Sequence, residues 1–149
     1  MGRLSADLAG GVLASEAIRL GQRASDKLDA LRQSGRVLLD LGAVEPAYVD
    51  AMLEREELVS TFMGEGVAIP HGTNESKESV HRTALGFLQF PDGVDWDGRD
   101  CHVCIAIASK SDEHIGILQA LAKVLSNQQS ARRLRETRSV DEVLELLAP

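Results

Sequence analysis

The sequence predicts an α/β sandwich: one domain built on a mixed sheet of about five strands, parallel and antiparallel, with helices on both faces. Three observations predict it. Helical spacing of apolar residues occupies both ends of the chain, short β-like runs fill its middle, and one of these runs, "HVCIAIA", is apolar enough to be covered on both sides. A length of 149 residues with 44% hydrophobic content suits a single domain with a substantial core.

The elements follow in order. Residues 1–14 are small and weakly patterned and read as a loose lead-in to a domain spanning 15–149. Ile18 and Leu20 alternate with Arg19, which suggests a short strand. From Ser25 as N-cap, Leu28, Leu31, Gly35, Leu38 and Leu39 share one helical face, and the helix ends near Gly42. Pro46 suits the first turn of a second helix with Val49, Met52 and Leu53 on one face, ending near Arg55 to Glu57. Strands are expected at 61–63, 67–69, 83–90 and 102–108, and the turn-rich "PDGVDWDG" reads as the connection between the last two. In the final third, Ile115, Leu118, Leu121, Ala122 and Leu125 make one helical face. Ala131 and Leu134 belong to the next helix, and Ser139 with Glu142 forms a capping-box pattern before a last one.

Composition narrows the function. The 23 acidic and 16 basic residues leave a net charge of −7, and the densest basic group is Arg132, Arg133 and Arg135, so nucleic acid is a poor fit. No apolar run approaches the roughly 20 residues of a membrane helix and the first residues lack a signal-peptide pattern, so a cytosolic protein is expected. Two cysteines are too few for a disulfide scaffold. They form a C-x-x-C within the apolar strand. On a regular strand an offset of three places the side chains on opposite faces, with Cα atoms about 10 Å apart, whereas a disulfide needs less than about 7 Å. Buried structural thiols are therefore expected.

Of four histidines, His81 and His102 have ordinary settings. His71 stands just past a strand end between Pro70, which restricts the backbone, and Gly72, which frees it. His114 follows the buried strand and opens a helix whose first-turn amides favour an anion, with Asp112 as its cap. Two such imidazoles could ligate a metal, relay protons or carry a phosphoryl group. Glu65 and Glu113 are unpersuasive as a third metal ligand, and spacing alone leaves the three chemistries open.

The segments "VEPAYVDAMLEREELVSTFMGEGVAIPHGT", "LGFLQFPDGVDWDG", "VCIAIASKSDEHIGILQALAKVL" and "SVDEVLELL" resemble one family across residues 15–147. It is the enzyme IIA domain of the bacterial phosphoenolpyruvate-dependent sugar phosphotransferase system, of the mannitol and fructose type. The wording is nearest the mannitol branch, while "AIPH" is shared with fructose and nitrogen-regulatory members. The resemblance places the phosphorylated histidine on His71, the second active-site histidine on His114 and the active-site arginine on Arg55. It implies an α/β sandwich, no cofactor or metal, phosphate received from the phosphocarrier protein HPr, and delivery to the cysteine of an enzyme IIB domain that works with a membrane IIC component. It also implies an apolar docking rim, for which Phe62, Ile69, Ile115 and Leu118 are candidates. Two alternatives remain beside it: a nitrogen-type regulatory IIA protein that binds targets according to its phosphorylation state, and a metal-dependent hydrolase using His71 and His114.

Overall fold

The computed structural model describes residues 13–110 and 113–147, with residues 113 and 114 described by their backbone alone. Its strands are β1 (Ile18–Arg19), β2 (Phe62–Gly64), β3 (Val67–Ala68), β4 (Ala84–Trp96) and β5 (Arg99–Ala108). Helices α1 (Lys27–Asp40) and α2 (Pro46–Leu58) lie between β1 and β2, and α3 (Glu113–Leu125), α4 (Gln128–Glu136) and α5 (Val140–Leu146) follow β5. The sheet order is β1-β4-β5-β3-β2. The β1–β4 and β3–β5 pairs are parallel, and β4–β5 and β2–β3 are antiparallel, so the sheet is mixed as the sequence predicts.

Side-chain alternation along β4 shows how both faces are covered. On one face a Cβ at Gly86 would lie only 2.7 Å from Val37 of α1, so the glycine lets the helix approach closely. On the other, the Gln89 amide donates to the carbonyls of Leu134 and Thr137 at the end of α4, at 3.1 and 2.7 Å. Between these layers residues 103–108 of β5 are all buried, which is why that run is apolar without alternation.

Several expectations are corrected. "PDGVDWDG" is not a simple connection: β4 continues through it to Trp96. Its first half is a bulge, where the register with β5 shifts between Gln89 and Val94, and an unpaired bulge tolerates Pro91. Only Asp97 and Gly98 turn the chain, both with positive φ (56° and 90°), as a tight hairpin requires. A second irregularity lies in β5, where the consecutive amides of His102 and Val103 both donate to the Gly66 carbonyl, at 2.7 and 3.0 Å. The bulge reverses the alternation, so Cys101 and Cys104 do not point to opposite faces; their buried thiols are hydrogen-bonding neighbours on the α1 side. Asp26, not Ser25, caps α1, accepting the Asp29 amide at 2.8 Å, while the Ser25 amide donates to the Asp29 carboxylate at 2.9 Å. In α3 the buried stripe is Ile117, Ala120, Leu121, Val124 and Leu125, leaving Ile115 and Ala122 exposed. Leu13 is buried in the core, so packed structure begins before residue 15; residues 1–12 of the expected lead-in lie outside the described ones.

One buried charge ties α1, α2 and the β4–β5 hairpin together. Glu56, 5% exposed, accepts from the Thr61 amide and hydroxyl through one oxygen and from Trp96 Nε1 (3.1 Å) and Lys27 Nζ (3.1 Å) through the other. Burial pushes its carboxyl up, but the Thr61, Lys27 and Ser60 hydrogen bonds more than offset this and hold it below the ordinary glutamate value. A depressed carboxylate stabilises the fold above its unfolded-state pKa, and that contribution is lost as pH falls through the lower folded value. Glu56→Ala should therefore cost about 3 kcal/mol at neutral pH by leaving Lys27 and the Trp96 N–H without it. Urea titrations at pH 7 and below pH 4 should show the difference between wild type and variant shrinking with acidity.

Candidate functional site

The polypeptide leaving β3 stays attached to β5 for two residues more than the sheet itself. Pro70 accepts the Ile107 amide at 2.9 Å, and His71 forms a single parallel bridge with Ile107. His71 is half-buried there, and its Nδ1 lies 2.9 Å from the Ile69 carbonyl. A carbonyl only accepts, so Nδ1 carries the proton and donates, and in the neutral ring the lone pair resides on Nε2.

Helix α2 supplies two side chains to the same place. Tyr48 and Arg55 are seven residues apart, two helical turns, and so share a face. The Tyr48 hydroxyl donates to the Ile107 carbonyl at 2.7 Å and accepts the Gly72 amide at 2.9 Å. Burial raises its pKa, so it stays a neutral hydroxyl. Arg55, in the last turn, donates to the Val59 carbonyl at 2.6 Å, which anchors one end of its guanidinium beside the site. His71, Arg55, Tyr48, Thr73, Lys77 and Ser109 line one cleft of about 280 Å³. An imidazole, a guanidinium and an ammonium-bearing side chain around one opening, set against the single carboxylate of Glu75 among the described lining residues, suit a phosphoryl group better than a neutral substrate.

The family model for the phosphoenolpyruvate-dependent sugar phosphotransferase system, EIIA 2, matches residues 12–149. The chain belongs to this family. It is 43% identical to the mannitol-specific phosphotransferase enzyme IIA component of Halalkalibacterium halodurans, over 91% of this chain and 94% of that one. Its structure superposes on the crystal structure of the mannitol IIA of Escherichia coli with a TM-score of 0.85 and 44% identity, covering 91% of this chain and 99% of that chain. It also matches the Escherichia coli complex of that IIA with phosphorylated enzyme IIB, with a TM-score of 0.86 and 43% identity, over 91% and 96% of the two chains. The chain is thus a phosphotransferase component.

Within this enzyme IIA, His71 and Arg55 both line one cleft. His114 lies in the first turn of α3; its side chain and the expected cap Asp112 are outside the described residues. Glu65 is remote from His71, in the β2–β3 turn at the start of β3, with φ of 54°, and its carbonyl is held by Arg135 at 2.6 Å. His81 faces Glu45 across 3.6 Å, and His102 Nδ1 lies 3.1 Å from the Phe90 carbonyl, both away from the cleft lining. Among the described residues no three His, Cys, Asp or Glu side chains gather as a metal cluster. Arg132, Arg133 and Arg135 each face a carboxylate, of Glu136, Glu142 and Glu65. Among the described residues no helix is long and apolar enough to cross a membrane.

The expected apolar rim is only partly in place. Ile115 is 51% exposed, but Ile69 is core, and Phe62 and Leu118 pack against the core. The sequence reading missed Leu58 and Val59, 70% and 64% exposed at the end of α2 beside Arg55. Leu58 stands off the buried face of α2, whereas Val59 continues the register of that face and is exposed because the helix ends before it, with Val59 extended. Tyr48 and Lys77 were missed as well; a tyrosine on the buried face of a helix announces a polar tip that needs a partner.

Gly72 also differs from expectation. Its φ is not in the left-handed region, so it serves space rather than backbone freedom: a Cβ there would sit 2.5 Å from Ser76 Oγ and 2.6 Å from Tyr48 Cε1. Gly72→Ala should cost about 1–3 kcal/mol through overpacking, read as a lower denaturation midpoint with an unchanged urea slope.

Proposed function

We propose that the chain is a cytoplasmic, mannitol-type enzyme IIA in which His71 carries the phosphoryl group, received from phosphorylated HPr and passed to the cysteine of an enzyme IIB domain for sugar uptake through a IIC component. The observation that carries this reading is the Nδ1 to Ile69 carbonyl contact, which leaves the lone pair on Nε2 of an imidazole lining the same cleft as Arg55. The mannitol designation of relatives at 43% and 44% identity supports the choice of sugar.

In this scheme the neutral Nε2 of His71 attacks phosphorus as the P–N bond to the HPr imidazole breaks. The donor ring departs neutral, and the phosphorylated His71 ring keeps its Nδ1 proton. The Ile69 carbonyl stabilises the positive charge that then develops on that ring. Transfer of this kind spreads negative charge over the phosphoryl oxygens, and positioned donors supply most of the catalysis. Arg55 and His114 are assigned that task, and Leu58, Val59 and Ile115 form the exposed apolar surface on which two partner proteins dock in turn. The scheme uses no metal or cofactor.

His71→Gln should take up no phosphate from phosphorylated HPr; labelling at undiminished stoichiometry would sink the assignment. Arg55→Met and His114→Ala should each remain folded and slow the transfer by about 100-fold, measured by rapid quench with radiolabelled HPr. Reconstitution with mannitol-specific and fructose-specific IIB and IIC components should give sugar phosphate only with the mannitol set.

A further inference from the structure

We infer that Tyr48 is a positioning residue for phosphoryl transfer, its hydroxyl inserted as a wedge into the β3–β5 pairing so that the His71 ring is held in its reactive orientation. The inference rests on the assignment of His71 as the phosphorylated residue.

In a parallel bridge the central residue on one strand is flanked by two bonds: Ile107 N–H to the Pro70 carbonyl, and Gly72 N–H to the Ile107 carbonyl. The first is present at 2.9 Å. In place of the second, the Gly72 amide donates to the Tyr48 hydroxyl at 2.9 Å, and that hydroxyl donates to the Ile107 carbonyl at 2.7 Å. One phenolic oxygen therefore stands between two backbone groups that would otherwise meet directly. The strands are joined directly before His71 and through the Tyr48 hydroxyl after it, which fixes the tilt of the peptide carrying the imidazole.

The wedge is built to be rigid. Tyr48 is 4% exposed, on the buried face of α2, and its ring fills the space against Gly72 that a Cβ would occupy. Its single proton is committed to the Ile107 carbonyl and its oxygen already accepts from Gly72, so it is poorly suited to proton transfer and acts through His71. Orientation is where the effect appears, because the Nδ1 to Ile69 carbonyl contact that sets the ring tautomer depends on the His71 backbone being placed correctly.

Tyr48→Phe is the decisive variant, since Gly72 N–H and Ile107 C=O are then able to close directly and the fold is retained. In rapid-quench transfer from phosphorylated HPr, kcat should fall about ten-fold or more while KM for the donor protein stays within about two-fold, because the docking rim is untouched. Long-range 15N–1H spectra should show the wild-type His71 ring with its proton on Nδ1 and the variant with a mixed tautomer population. Val143→Ala, a buried change on α5, should lower stability without moving either readout. Hydrogen exchange on the wild type gives a measurement independent of any variant: the Gly72 amide should be protected. A kcat within about two-fold of wild type, an unchanged tautomer, or a wild-type Gly72 amide exchanging as a free surface amide would each overturn the inference. Failure of the wild type itself to take phosphate on His71 would instead remove the assignment on which it rests.

Discussion

The antiparallel ladder between β4 and β5 is the constraint on which the other elements depend. It pairs Ala84 with Ala108 at one end and Trp96 with Arg99 at the other, and among the described residues it is the longest strand pairing, long enough to fix both faces of the sheet. Helix α1 is placed by the gap at Gly86, and α4 by the Gln89 amide on the reverse face. The end of β5 then projects past its partner β3, and the backbone groups of Ile107 become the fixed reference for His71. The candidate site is thus an extension of the sheet by one residue pair, which explains how an imidazole on a loop is held to strand-like precision.

A second frame operates at the other end of α2. The Glu56 carboxylate gathers Thr61, Trp96 and Lys27, and Lys27 also reaches Asp97 in the hairpin turn at 2.7 Å. These contacts hold the chain from Leu58 to Thr61, and the Val59 carbonyl within that stretch accepts from Arg55. The two polar side chains that α2 sends to the cleft are therefore supported differently, Tyr48 by strand backbone and Arg55 by a loop secured from beneath.

The fold class was legible because helical spacing at both ends and the unbroken apolar run at 102–108 each have one natural reading. Less legible were the features that pairing decides. Pro91 to Gly93 have the same composition whether they close a loop or make a bulge, and only the partner strand tells them apart. The cysteine parity failed for the same reason, since one shared carbonyl, that of Gly66, reversed the alternation. The face of α3 was ambiguous because apolar residues occupy most of its circumference. At the site, Pro70 and Gly72 marked His71 locally, whereas Arg55 and His114 were assigned their roles only through resemblance. Tyr48 announced a polar tip but not its partners, which lie 24 and 59 residues away.

The sheet's margins have a consequence for how such a protein meets others. Its outer strands, β1 and β2, are two and three residues long, against 13 and 10 for the central pair. Edges so brief offer an incoming chain almost no row of backbone groups on which to add a strand. A carrier that must be met and released by successive partners is thereby protected from sticky, template-like association, and encounters are left to side-chain surfaces that separate as readily as they form.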